Sequence, residues 1–164
     1  MMLEDYFKKL FDIYFERVRN YIFYRCGDQE LATDIAQETF MKIWEKDLHP
    51  EPNKEKALLF KIAGDLFISS YRKQQVALQF AQLPQNNNEV DTPDDEINYK
   101  ELKTKYEKTL SEMNENQRIV FLMSRNDGLK YKEIADHLSI SQKAVEKRMS
   151  KALEQLNKAL QYEA

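Results

Sequence analysis

Glycine occurs only three times and proline four times in 164 residues, too few for the tight turns of a sheet-rich fold or for a glycine loop that cradles phosphate. One cysteine, Cys26, excludes a disulfide framework and a multi-cysteine zinc site and fits a reducing compartment. Lying at the end of an apolar stripe, its expected role is inert packing. No apolar run approaches the roughly 20 residues that cross a bilayer. The opening Met1-Met2-Leu3-Glu4-Asp5 is acidic where a secretory signal is basic. A cytoplasmic chain without membrane insertion is therefore expected. Metal-spaced clusters of His, Cys and Asp are missing too, and no nucleophile and base pairing stands out. Neither an enzyme nor a metal or cofactor is expected.

What is present is helical pattern and charge. Hydrophobic residues make up 42% and charged residues 32%, the composition of a folded, mostly helical chain. The net charge of −3 conceals an asymmetry: residues 99–164 carry 13 Lys and Arg against 10 Asp and Glu, whereas residues 1–98 carry 12 against 18. Attraction to phosphate depends on where cations cluster, so an acidic total is compatible with nucleic-acid binding by the C-terminal half.

Phe7, Leu10, Phe11, Tyr14, Phe15, Val18, Tyr21 and Ile22 recur at three- and four-residue spacing, predicting a helix from Tyr6 that Gly27 ends. Asp28 is a candidate N-cap for a second helix reaching Trp44 or Lys46, which the prolines after His49 terminate. Asn53 is a candidate cap for a third, with Leu59, Ile62, Ala63, Leu66 and Phe67 inward and an end past Lys73. From Pro84 to Asp95 the pattern fails, and no Lys or Arg lies between Lys73 and Lys100. That stretch reads as a flexible acidic linker. Thirteen of the nineteen aromatics lie at or before Tyr71, ahead of that stretch, so the halves are expected to have different cores. The expected division is a domain over 1–82, a linker over 83–95 and a domain over 96–164, all-α throughout.

In the second half a helix is expected over Glu96 to Leu110 and another from Asn114, whose Gln117 completes a capping-box pattern, to Arg125. Gly128 ends it. Tyr131 to His137, a turn at Leu138-Ser139-Ile140 and a final helix capped by Ser141 have the spacing of a helix-turn-helix, with Ala135 as the small residue that permits a close crossing. Val145, Met149, Ala152, Leu153, Leu156 and Leu160 form the expected buried stripe of the last helix. Ser141, Gln142, Lys143, Glu146, Lys147, Ser150 and Lys151 are left outward, with chemistry suited to base edges and phosphates of a duplex. Spacing alone is equally that of a structural helix pair with a solvated face.

Two motifs go further. Asp34-Ile35-Ala36-Gln37-Glu38-Thr39-Phe40-Met41-Lys42-Ile43-Trp44 resembles the signature D-x-x-Q-E-x-F-x-x-x-W of bacterial sigma-70 family RNA polymerase sigma factors, in their small extracytoplasmic-function (group IV) class. On the far side of the linker, Leu110 through Arg118, Gly128 through Ala135 and Ser141 through Arg148 look like the promoter-reading domain of the same family. Two matches in the right order are far less open to coincidence than one.

The resemblance implies a transcription initiation factor, with core RNA polymerase and promoter DNA as partners. It implies that Asp34, Gln37 and Glu38, with Phe40 and Trp44 nearby, dock on a coiled coil of the largest polymerase subunit. It also implies that the third helix captures a melted DNA strand, through an outward stripe of Lys61, Asp65, Ser69 and Arg72 and a neighbouring loop containing His49. There the chain departs from the family pattern W-L-x-x-I-A-R-N-L-x-x-D-x-x-R: the tryptophan is Leu58, the arginine Gly64, the asparagine Asp65 and the aspartate Ser69. Losing a cation and an amide while gaining a carboxylate predicts altered or relaxed reading of the melted element. Two alternatives stand beside this reading. One is a polymerase-recruiting adaptor positioned on DNA by another factor, and the other is a conventional helix-turn-helix regulator. An anti-sigma protein is a further partner that the resemblance suggests.

Overall fold

The computed structural model describes residues 4–48, 54–71, 80 and 93–161. His49, the Asn53 cap, Arg72 and the linker up to residue 92 lie outside the described residues. Seven helices follow one another with no strand among the described residues: α1 (Glu4–Cys26), α2 (Gln29–Glu45), α3 (Glu55–Tyr71), α4 (Pro93–Glu112), α5 (Glu115–Arg125), α6 (Tyr131–Leu138) and α7 (Gln142–Leu160).

Local chemistry sets most of the boundaries. Gly27 adopts φ +71° and returns its N–H to the Phe23 carbonyl at 2.7 Å, an ending of α1 that a side chain would strain. Asp28 immediately caps α2, its carboxylate accepting the Leu31 N–H at 3.1 Å. Asn114 caps α5 by accepting from Asn116 N–H, and Ser141 caps α7 by accepting from Ala144 N–H. The expected linker is shorter than its composition suggests, because α4 begins at Pro93. Proline suits a first helical turn, where its missing N–H leaves no bond unmade.

Helices α1, α2 and α3 pack as one module, and α4 to α7 as a second in which α7 runs against α4, α5 and α6. Val18, Ile22, Ile43 and Leu59 in the first and Leu110, Val120, Leu122 and Ile134 in the second are fully buried, each such side chain contributing about 1.5–3 kcal/mol of transfer free energy. The two helical modules are as expected, but their cores are not isolated. α1 packs against α5 and α3 against α6, and the buried residues form one continuous cluster. Leu153 also departs from the expected stripe: it is 44% exposed, because Ala152 and Leu156 already fill the inward face of α7. Cys26 is fully buried, and desolvation pushes its thiol up to about 11, which suits packing and not reactivity.

Candidate functional site

On α2, Asp34, Gln37 and Glu38 are all exposed. Their i, i+3, i+4 spacing sets them side by side. Adjoining them is a shallow groove of about 660 Å³ into which Gln37, Met41 and Trp44 project. Met41 is 56% and Trp44 44% exposed, an unusual display of large apolar surface beside carboxylates. An aromatic cluster holds the groove in shape: Trp44 meets Phe7 edge-on with ring centroids 5.0 Å apart, and Phe11 stacks on Phe15 at 4.6 Å. Phe40 sits beneath them at 2% exposure, its ring 5.2 Å from Phe11. It therefore forms the floor of the surface and does not project from it, whereas Trp44 stands at its edge. An acidic strip next to an apolar groove suits a partner helix that is basic along one side and apolar along the other.

The outward side of α3 presents Lys61, Asp65 and Ser69. The Ser69 hydroxyl donates to the Leu66 carbonyl at 3.1 Å, so its proton is engaged within the helix. Between this side and the end of α2 runs a groove of about 490 Å³, where Lys42 and Lys46 join Lys61 around Leu48 and Asp65. Lys42 and Lys46 are functional candidates that sequence reasoning passed over. Their four-residue spacing was visible, but the turn through Asp47, at φ +50°, is what brings them alongside α3. Three ammonium groups around one groove can follow a phosphate backbone.

The α6 and α7 pair has the geometry of a helix-turn-helix. Ser139 takes a left-handed conformation at φ +55°, and the Ile140 N–H returns to the Ala135 carbonyl at 3.1 Å. Ala135 is buried at the crossing. Ser141, Gln142, Lys143, Glu146, Lys147, Ser150 and Lys151 are all exposed along α7, and Val145 and Met149 anchor the opposite side. The arrangement can present polar and cationic groups to a major groove while the N-terminal turn of α7 faces phosphate.

The seam between the modules was not anticipated. Arg118 of α5, only 3% exposed, donates to the Tyr24 and Arg25 carbonyls at 2.7 Å each and to the Leu110 and Met113 carbonyls at 3.1 Å each. One guanidinium thus serves the C-terminal ends of both α1 and α4, where carbonyls lack helical partners and the dipole favours a cation. Asp127 accepts from the Tyr24 hydroxyl at 2.6 Å and from the Asn20 amide at 3.1 Å. Arg25 pairs with Glu115.

His137 of α6 is 2% exposed with its ring edge-on to Phe60 of α3, centroids 5.1 Å apart. Its Nδ1 lies 2.7 Å from the Glu133 carbonyl, which only accepts, so Nδ1 carries the proton and Nε2 accepts from Arg17 of α1 at 3.3 Å. Burial holds its pKa below 6.5, against the opposing pull of the Glu133 carbonyl; Lys56 of α3 and Arg17 lower it further, and the Glu133 carboxylate raises it. Above that ordinary value the ring is neutral whether buried or freed, and the seam has its full strength. As pH falls through the depressed value, the freed ring has already taken a proton that the buried one resists, and stability is lost. The unfolding midpoint should therefore drop between about pH 7 and pH 5 by more in the wild type than in His137→Phe; identical profiles would remove His137 as the cause.

Among the described residues no group of three His, Cys, Asp or Glu side chains gathers to hold a metal, and no helix is long and apolar enough to cross a membrane. The sigma-70 region 2 model matches residues 10–76, which contain the α2 and α3 surfaces, and the sigma-70 region 4 model matches 103–156, which contain the helix-turn-helix. The chain is 29% identical to the ferric citrate uptake sigma factor FecI of Escherichia coli K12 over 75% of this chain and 72% of that protein. It is 28% identical to the extracytoplasmic-function (ECF) RNA polymerase sigma factor SigM of Bacillus subtilis over 82% of each. To the RNA polymerase sigma factor YlaC of the same organism it is 27% identical over 96% of this chain and 94% of the relative. With both regions present in order on two helical modules, the chain belongs to the sigma-70 family, in its extracytoplasmic-function class of non-enzymatic factors that act with RNA polymerase in transcription initiation.

Proposed function

We propose that this chain docks on core RNA polymerase through α2 and directs the enzyme to promoters with altered reading of the melted element. Asp34, Gln37 and Glu38 supply charge and hydrogen-bond acceptors to a basic coiled coil, and Trp44 covers apolar surface at the edge. α7 reads an upstream duplex element with Lys143, Glu146, Lys147 and Lys151. α3 holds the melted strand beside Lys61, with Asp65 selecting for a base that offers an amino group and disfavouring close phosphates. The observation that carries this reading is the exposed acidic strip next to the Trp44 groove, on the same chain as a helix-turn-helix with a free cationic side. Any anti-sigma protein that silences the chain has to cover one of those two surfaces.

Exposure of Asp65 and engagement of the Ser69 hydroxyl within α3 leave α3 poor in base-reading groups, which is the feature that favours the adaptor alternative. Mapping transcript starts on a random DNA library, with core polymerase in the presence and absence of the chain, separates the readings. Chain-dependent starts sharing two spaced elements, the more degenerate one at the melted position, are expected. Starts without shared elements would identify an adaptor guided by a second DNA-targeting protein. No chain-dependent starts, together with tight binding to duplex alone, would identify a conventional regulator.

A further inference from the structure

We propose that Arg25 of α1 is a phosphate-binding residue for the melted strand, lying against α3 at Gly64 and held in check by Glu115 of α5. The proposal deepens the reading of α3 given above and rests on it. A Cβ at Gly64 would lie 3.5 Å from an Arg25 terminal nitrogen and 3.8 Å from the Tyr21 hydroxyl. Both are ordinary contact distances, so the guanidinium lies directly against α3 at Gly64, where only a side chain longer than alanine would meet it. The Phe67 ring supports it from below, 4.5 Å from its central carbon, and the same nitrogen donates to the Tyr21 hydroxyl at 3.4 Å.

Arg25, Lys61 and Asp65 line one cleft of about 650 Å³ between α1, α3 and α6. Lys54 lines it too, so Lys54 and Lys61 against Asp65 leave one net positive charge, and Arg25 makes it two. A guanidinium fork braced on an aromatic ring is well matched to a phosphate. It also sits where the family pattern places an arginine that this chain lacks, so the charge arrives from α1 in place of α3. Glu115 now pairs with Arg25 across the seam, and its side chain is 42% exposed. The Arg25 side chain is 16% exposed and Glu115 is not among the residues lining the cleft, so the carboxylate offsets the guanidinium's charge from the seam side, and separation of α5 from α1 releases it.

An ion pair that only fastens the seam makes a simple prediction: Arg25→Gln and Glu115→Gln remove the same bond and act alike. Strand binding makes the two act oppositely. The full-length chain is titrated into a fluorescein-labelled single-stranded DNA of random sequence, with anisotropy read at several salt concentrations. Arg25→Gln is expected to weaken binding about fivefold and to reduce the salt slope by about 0.7, the value of one single-strand phosphate contact. Glu115→Gln is expected to tighten it by a similar factor, and that gain should vanish when Arg25→Gln is added. Gly64→Arg should restore affinity to the Arg25→Gln chain. Changes of the same sign in the two single variants, or a Glu115→Gln gain that survives without Arg25, would overturn the proposal. Lys61→Ala reports on α3 itself. If it weakens binding while Arg25→Gln does not, only the Arg25 assignment fails. If neither changes binding, or the wild type binds no strand, the reading of α3 fails and takes the assignment with it.

Discussion

Arg118→Met is expected to be strongly destabilising, lowering stability by about 3–5 kcal/mol, because each buried carbonyl left without a donor costs about 1–3 kcal/mol. The methionine fills much of the same volume, so the loss is one of bonds and not of packing. Four main-chain carbonyls, at Tyr24, Arg25, Leu110 and Met113, would lose their donor together. They stand at the ends of α1 and α4, where helical partners run out, although Leu110 still accepts the Met113 N–H at 3.3 Å. Because the guanidinium also lies over the Phe80 ring at 5.1 Å, the aromatic contact goes with it. For a chain of this size the midpoint of thermal unfolding should fall by roughly 10 °C. Arg118→Lys keeps the charge but offers no planar fork, and should fall between the two. An unchanged midpoint in Arg118→Met would mean that the two helix ends are satisfied without the seam.

Much of the fold was legible because it depends on neighbours in sequence. The caps at Asp28, Asn114 and Ser141 and the glycine ending at Gly27 rely on bonds spanning a few residues, and each is found in the structure. The exposed sides of α2, α3 and α7 followed from helical period, since 3.6 residues per turn fix which residues share a direction. Period says that a side is buried without saying against what. Tyr24 and Asp127 are 103 positions apart, and the tyrosine reads as one more apolar residue of α1 until its hydroxyl finds that carboxylate. Arg118 and His137 look like surface residues by type, yet are among the few polar side chains that are buried. Leu153 was misjudged in the opposite sense, since apolar type suggested burial at a position whose direction is outward. Gly64 registered in the sequence only as a lost arginine. That Arg25 lies against it required α1 and α3 to be placed side by side.

The largest functional effect belongs to α2. Replacing Asp34, Gln37 and Glu38 together with alanine removes two carboxylates and an amide that point outward and bond to no neighbouring module, so the helix should stay folded. Alanine has the higher helix propensity, and the buried side of α2, through Ala32, Ile35, Ala36, Phe40 and Ile43, is untouched. Contacts of this kind, desolvated at the centre of an interface, are worth about 2 kcal/mol or more apiece. Three of them correspond to a loss of affinity of at least about a thousandfold. Trp44→Ala, which strips apolar cover from the groove edge, should weaken binding less than the triple variant. The most direct test of the account is equilibrium titration of the labelled chain with core RNA polymerase, wild type beside the triple variant, with circular dichroism confirming equal helix content. Tight binding by the wild type and its abolition in the variant is the result expected. Undiminished binding by a fully folded variant would contradict the assignment of α2 as the polymerase-docking surface.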